Sequence, residues 1–199
     1  MARKKAYEEK IVKLILLKES TYNLKKTLII KCPLSIHGAG QNNTIIQGKG
    51  FKIEGEKEDG KNVVLKDMTI SETSGHGVVG FNGLSWLCDS LTITQCGDHG
   101  VVAYKTKGRL INCVITQCGW SGIYCGENAL IELKGSQTKV DGNGTCGASF
   151  CFGLYASYSS IIHLLFPLTK ESVSANNGGG GNYGGDTIKE VTAFEEKGE

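Results

Sequence analysis

The sequence predicts an all-β fold, a right-handed parallel β-helix (solenoid) of about 6–8 coils of about 22–25 residues behind a short N-terminal cap. The first observation is a repeat, because TQCG occurs at 94–97 and again at 116–119, an offset of 22 residues, and a related segment lies 23 residues earlier. The second is that the aligned segments alternate apolar and polar residues as strands do. The third is composition, because 28 of the 199 residues are glycine and only 2 are proline, which indicates many tight turns between ordered strands.

The aligned repeats predict which residues form the core. Equivalent residues of successive coils stack at the strand spacing of about 4.8 Å, so we expect the isoleucine column to be buried. Beyond the three copies, Val140 continues the isoleucine column and Gly153–Leu154 continue the other two, after an insertion of about six residues. Three columns align: Ile70, Ile93 and Ile115; Gly77, Gly100 and Gly122; Val78, Val101 and Ile123.

The chain predicts one domain, residues 1–185, in which residues 1–26 form the N-terminal cap and first strand. Strand patterns recur before the repeats, and GAGQNN at 38–43 is a turn. After the glycine-rich segment at 176–185, we expect residues 186–199 to be a C-terminal tail.

Charge and hydropathy limit the classes of partner and the cellular location that the sequence predicts. The 22 basic and 20 acidic residues give a net charge of +2, which predicts neither nucleic acid nor an anionic membrane as a partner. No stretch approaches the roughly 20 apolar residues of a membrane span, and Lys13 and Lys18 interrupt the apolar N-terminal run. We therefore expect a soluble protein without a visible signal peptide, which favours an intracellular location. The sequence does not predict the oligomeric state.

The eight cysteines suggest either a disulfide framework or buried small side chains. Five of them occupy repeat columns, which favours buried, reduced thiols. Cys96 and Cys118 are equivalent residues one coil apart and close enough to bond if oxidised. The five are Cys88, Cys96, Cys113, Cys118 and Cys125.

The N-terminal run LILLKESTYNL, LIIKCPLSIHGAG and TIIQG resembles the opening coils of pectin-lyase-like proteins. The repeats resemble the parallel β-helix repeats of carbohydrate-binding proteins and sugar hydrolases, and residues 31–185 resemble right-handed β-helix proteins of diatoms and other microalgae. The resemblance implies the coil but not the chemistry. Lyases of this type use acidic residues to hold calcium and a basic residue to take a proton, and the hydrolases use two or three aspartates.

Such a catalytic site is not evident in the repeats, because no aligned column contains two carboxylates. The best polar candidates are His76 and His99, which share a column, with Asp98 beside His99. Two stacked histidines beside a carboxylate suit proton transfer or metal binding, but each precedes a glycine and also suits a plain turn. We predict neither a resident metal nor a cofactor.

The second candidate is an outward sheet face. If Val78, Val101 and Ile123 point inward, strand alternation turns their neighbours outward, and the opposite alternation would bury those neighbours instead. The repeated pattern of a glycine, an apolar residue, any residue and a small residue favours the arrangement in which Val78, Val101 and Ile123 point inward. The predicted binding face comprises Val79, Phe81, Val102, Tyr104, Trp120 and Tyr124.

Two functions follow from these observations. The favoured one is a non-catalytic scaffold or binding module that recognises a glycan or a protein partner through this face. The alternative is a carbohydrate-active enzyme, a polysaccharide lyase or glycoside hydrolase of the pectin-lyase-like type.

Overall fold

The computed structural model describes residues 13–57, 60–185 and 187–193. All strand pairs recorded in these ranges are parallel and join successive coils, so the predicted parallel solenoid is confirmed. One short helix, α1 (Lys170–Val173), interrupts the strands. Within the described residues, no helix has the length and apolar character needed to cross a membrane.

The strands form three faces that run along the solenoid axis. The first face contains β1 (Lys13–Leu16), β4 (Leu34–His37), the first half of β7 (Val63–Thr73), the first half of β9 (Trp86–Thr94), β11 (Lys107–Ile111), β14 (Leu130–Lys134), β17 (Ile161–Leu165) and β20 (Ile188–Val191). The second contains β2 (Ser20–Asn23), β5 (Thr44–Gly48), the second halves of β7 and β9, β12 (Val114–Thr116), β15 (Lys139–Asp141) and β18 (Ser174–Ala175). The third contains β3 (Leu28–Ile30), β6 (Phe51–Gly55), β8 (Val78–Gly83), β10 (Val101–Tyr104), β13 (Ile123–Gly126), β16 (Phe152–Ala156) and β19 (Gly181–Gly184).

Polar residues in the left-handed backbone region turn the chain from one face to the next. Between the first and second faces, Asp67, Ser90 and Asn112 have φ angles of 54°, 53° and 50°. Asparagine and aspartate tolerate this region better than most residues, and a polar side chain at an outer corner stays in water. The aligned polar positions of the repeat are therefore corners of the coil.

The isoleucine column is confirmed. Ile93 pairs in register with Ile70 on one side and Ile115 on the other, and Val140 extends the column. All four side chains are fully buried, so the repeat aligned by sequence matches the three-dimensional register.

A second buried column explains the repeated glycine. A second corner, between the second and third faces, also has a residue with positive φ in each coil, for example Gln95 or Gln117. The residue that follows this corner in successive coils is Thr73, Cys96, Cys118, Asn143 or Asn177. The amide of Asn143 donates to the carbonyl oxygen of Ile115 at 3.0 Å and that of Asn177 donates to Val140 at 3.0 Å. We call this set the corner column.

The glycine that follows packs against the corner column and the isoleucine column of the next coil. A Cβ on Gly77 would lie 2.7 Å from Cγ2 of Ile93 and 3.1 Å from Sγ of Cys96. Gly100 and Gly122 meet the equivalent groups of the following coils at similar distances. Only glycine fits there, because no room exists for a side chain.

The cysteines are mostly buried, as predicted. All eight lie in the described ranges and none is disulfide-bonded. Cys32 and Cys146 are exposed, and the other six are buried. Burial confirms the packing interpretation of the five cysteines in repeat columns.

Both ends of the solenoid have strands beyond the expected limits of the coil. Within the predicted cap, β1 pairs with β4 and β2 pairs with β5, while residues 1–12 lie outside the described ranges. Beyond residue 185, β20 pairs with β17 on the first face, and residues 194–199 of the predicted tail also lie outside the described ranges.

Candidate functional site: an aromatic ridge on the third face

The outer surface of the third face bears the predicted binding residues. Val78, Val101 and Ile123 are fully buried, so the alternation that we favoured places their neighbours outward. Val79, Val102 and Tyr124 are in register across three coils, and Phe81 pairs with Tyr104. The strand pairing thus brings these five predicted residues together on the outward side of one sheet.

The outward aromatic rings contact one another from coil to coil. Ring centroids are 6.3 Å apart for Phe81 and Tyr104, 5.5 Å for Tyr104 and Tyr124, and 5.4 Å for Tyr124 and Tyr155. Phe152 continues the line 5.0 Å from Tyr155. We call these five residues the aromatic ridge.

The rings of the ridge are tilted rather than stacked flat. The interplanar angles are 54° between Tyr104 and Tyr124 and 73° between Tyr124 and Tyr155. These edge and tilted arrangements are the ones that aromatic pairs prefer. All five residues of the ridge are partly buried, so each keeps some surface that a ligand can contact.

Small and buried residues create the space for the ridge. Gly126 follows Tyr104 in its outward column, and a Cβ there would lie 2.8 Å from Cε1 of Tyr124 and 3.2 Å from Cε1 of Tyr104. Val102 is fully buried although it belongs to the outward column. Val102 therefore supports the rings and offers no contact to a ligand, unlike the exposure that we expected for it.

Trp120 lies beside the ridge on the turn that leads into the third face. Its side chain is 41% exposed and packs edge to face with Phe150, which is 59% exposed, at 6.0 Å. Trp120 also meets the ring of His99 at 5.3 Å. The predicted platform is thus extended sideways by two exposed rings.

His76 and His99 stack as predicted, with centroids 5.4 Å apart and planes 17° from parallel. Asp98 Oδ2 lies 4.0 Å from Nδ1 of His76, and that same nitrogen accepts a hydrogen bond from the backbone N–H of His99 at 3.3 Å. His99 is only 8% exposed and its ring lies 5.2 Å from that of Tyr124. Structurally, His99 is a support for the ridge.

The electrostatics of the pair favour neutral imidazoles. Burial, reinforced by the nearby His76, lowers the pKa of His99 to about 4. Burial also lowers the pKa of His76, and Asp98 only partly opposes this. Within the described residues, no group of three or more histidine, cysteine, aspartate or glutamate side chains is arranged to hold a metal ion.

Two lysines beside the ridge are each paired with a glutamate. Lys52 lies 5.1 Å from the centre of the Phe81 ring and forms an ion pair with Glu54. Lys105 Nζ lies 3.2 Å from Oε2 of Glu127. The surface therefore combines aromatic rings with balanced charge.

Two shallow grooves border the C-terminal end of the ridge. One, of about 420 Å³, is lined by Phe152, Tyr155, Ser157, Tyr158 and Ser159 among others. The other, of about 600 Å³, is lined by Lys105, Glu127, Asn128, Tyr158 and Ser159. The Tyr124 hydroxyl and Ser157 Oγ are 3.0 Å apart, so hydroxyl groups border the rings on this side.

A separate polar cluster lies on the first face. Glu132 is almost fully buried, and its carboxylate accepts from Nε of Arg109 at 2.7 Å and meets Nζ of Lys107 at 2.9 Å. Burial opposes ionisation, but these two cations lower the pKa of Glu132 below its ordinary value. Two cations neutralise one acid here, so the cluster holds adjacent coils together. It does not resemble the pair of acidic residues that a glycoside hydrolase uses.

Sequence reasoning missed four ring-bearing residues of the surface. The sequence alignment already placed Leu154 in the column of Ile123, but we did not extend the outward column to the next residue, so Tyr155 was missed in the column of Tyr124. The signal was the pairing of Leu154 with Ile123, since the residue after each must then share a column. The residues missed are Phe150, Phe152, Tyr155 and Tyr158.

Comparison with known protein families gives one match. The model of the right-handed β-helix region matches residues 26–164, which is 139 of the 199 residues in the chain. No curated protein and no solved structure matches the chain.

Proposed function

The chain belongs to the right-handed β-helix family, and we propose that it is a non-catalytic binding module whose aromatic ridge recognises a glycan chain. The observation that carries the proposal is the continuous line of tilted rings on the third face, with centroids 5.0 to 6.3 Å apart. A surface of this kind is costly to leave in water, so a ligand that covers it gains free energy.

The repeat of the solenoid favours a ligand with a repeat of its own. The four coils that contain β8, β10, β13 and β16 each contribute at least one ring, and adjacent coils are separated by the strand spacing, so the contacts recur along the axis. A polymer of similar units meets the same environment at each step. Open grooves at the end of the ridge suit an extended chain better than an enclosed small molecule.

Balanced charge favours an uncharged glycan over an acidic one. The two lysines next to the ridge, Lys52 and Lys105, are each paired with a glutamate. A uronate polymer would have to compete with those carboxylates for the cations. Sugar C–H groups instead pack on aromatic faces, and sugar hydroxyls pair with the hydroxyls of Tyr124 and Ser157.

The test is calorimetric titration against soluble neutral and uronate polysaccharides. We expect the wild type to bind a neutral polymer and the variant Tyr104→Ala with Tyr124→Ala to lose at least tenfold in affinity. The melting temperature should change little, because both rings lie on the outer side of the sheet and neither belongs to the buried core. Phe166→Ala is the matched control, since Phe166 is 58% exposed and lies outside the ridge.

Three outcomes would contradict the proposal. They are the absence of affinity for every glycan tested, equal loss of affinity in the Phe166→Ala control, and a large drop in melting temperature in the double variant. Capture of a defined protein that the double variant releases would assign the ridge to a protein partner.

The enzymatic alternative has its own measurement. Incubation with uronate polymers, followed by the absorbance of unsaturated product, detects lyase turnover, and reducing-end assays detect hydrolysis. Turnover that disappears in His99→Ala would favour the enzyme. The neutral, largely buried His99 does not favour that result.

A further inference from the structure

We propose that Cys146 and Cys151 form a reversible dithiol–disulfide site on the loop between β15 and β16. Their sulfur atoms are 3.3 Å apart. A disulfide requires about 2.0 Å, so the two sulfur atoms have to approach by about 1.3 Å to bond. The thiol chemistry of this site does not depend on whether the third face binds a glycan.

The loop that carries the two cysteines is the insertion in the repeat. Gly122 and Gly153 are equivalent but 31 residues apart in sequence, whereas Gly100 and Gly122 are separated by 22. The other buried cysteines fill columns of the core, which explains them without chemistry. Cys146 and Cys151 belong to no repeat column, so packing in the coil does not account for the pair.

Backbone hydrogen bonds hold the two ends of the loop in place. Cys146 N–H donates to the carbonyl oxygen of Gly119 at 3.0 Å. The carbonyl oxygen of Cys151 accepts from the N–H of Gly180 at 2.7 Å. Because each cysteine is tied to a different neighbouring segment, the sulfur contact does not depend on chance encounters of a free loop.

The two thiols differ in access, which sets an order of reaction. Cys146 is exposed and Cys151 is buried. Burial, together with the adjacent Cys146 thiol, raises the pKa of Cys151. Cys146 therefore meets an external oxidant first, and Cys151 completes the bond.

The oxidant is a small disulfide such as oxidised glutathione. The Cys146 thiolate attacks one glutathione sulfur, forms a mixed disulfide and releases one glutathione thiolate. The Cys151 thiolate then attacks the Cys146 sulfur and releases the second glutathione. Two protein thiols lose two protons and two electrons, and one glutathione disulfide becomes two glutathione thiols.

The bond would fix a part of the loop that touches the ridge. Phe150 immediately precedes Cys151 and packs on Trp120. Closing the disulfide therefore restrains Phe150 and the neighbouring indole. The Cys96 and Cys118 thiols are buried in the corner column, so a dissolved oxidant does not reach them in the folded protein.

The test is a redox titration of the native protein. The protein is equilibrated in mixtures of reduced and oxidised glutathione, alkylated, denatured and digested with trypsin. Both cysteines, and no others, fall in the tryptic peptide 140–170. In excess oxidised glutathione, we expect this peptide to be lighter than the dithiol form by two hydrogen atoms, without alkylation, and dithiothreitol to reverse the change.

Two variants separate the steps. Cys151→Ser should accumulate a glutathione adduct on Cys146, and Cys146→Ser should leave Cys151 unmodified, with circular dichroism showing that both variants fold. The proposal is overturned if the wild-type peptide keeps two alkylated cysteines in excess oxidant, or stops at the Cys146 adduct. An adduct on Cys151 in Cys146→Ser would overturn the order of attack.

Discussion

Replacing Ile93 by alanine is expected to lower the free energy of unfolding by about 2–4 kcal/mol. The change removes three carbon atoms from a fully buried side chain. At about 0.8 kcal/mol for each buried methylene, transfer alone accounts for about 2.4 kcal/mol. The cavity that remains accounts for the rest.

The cavity should persist because the surrounding atoms are fixed. Ile70 and Ile115 lie above and below Ile93 in register, and ladder hydrogen bonds set their spacing. Gly77 closes the side, since a Cβ there would be only 2.7 Å from Cγ2 of Ile93. Collapse into the gap would have to shift two coils together.

Urea unfolding followed by circular dichroism measures this loss, provided that the m-value stays constant. Ile29→Ala is the control, because Ile29 is also in a strand but 51% exposed, and it should cost less than about 1 kcal/mol. A loss below about 1 kcal/mol for Ile93→Ala, or equal losses in the two variants, would show that the register is wrong.

Three further predictions concern thiols, histidine and a glycine. In the folded protein, an alkylating reagent should spare three core thiols that each take one label after denaturation: Cys88, Cys113 and Cys125. The pKa of His99 is lowered by burial to about 4, against about 6.5 when unfolded. Stability should thus be full above pH 6.5 and fall towards pH 4 by at most about 3 kcal/mol; in urea unfolding at several pH values, His99→Gln should lose less free energy of unfolding between pH 6.5 and pH 4 than the wild type does. Gly108→Ala should cost about 1–3 kcal/mol in the same assay, because its Cβ would lie 2.1 Å from Cζ2 of Trp86, whereas Gly75→Ala, whose Cβ meets no atom nearer than 3.6 Å, should cost little.

The repeat was the part of the fold that could be predicted from the sequence. A column such as Ile70, Ile93 and Ile115 is visible because every coil repeats the same burial. The same periodicity placed Phe81, Tyr104 and Tyr124 on the outside, since side chains alternate across a strand.

Tertiary packing decided what the sequence left open. Alternation places Val102 outward but does not reveal that neighbouring side chains cover it. Left-handed corners at residues such as Gln95 and Lys105 have no composition signal, because these residue types seldom adopt that conformation. The 3.3 Å approach of two sulfurs depends on loop hydrogen bonds that no periodicity encodes.

The contact between each repeated glycine and the next coil has a consequence for how such a protein can change length. Gly100, for example, fits against Ile115 and Cys118, so these positions must change together. A coil can be added or lost only as a whole unit, because it must supply both the glycine and the side chains that pack against the glycine of the preceding coil. Extra residues are accommodated between these packing positions instead, and in this chain they lie in the segment from Asn143 to Phe152.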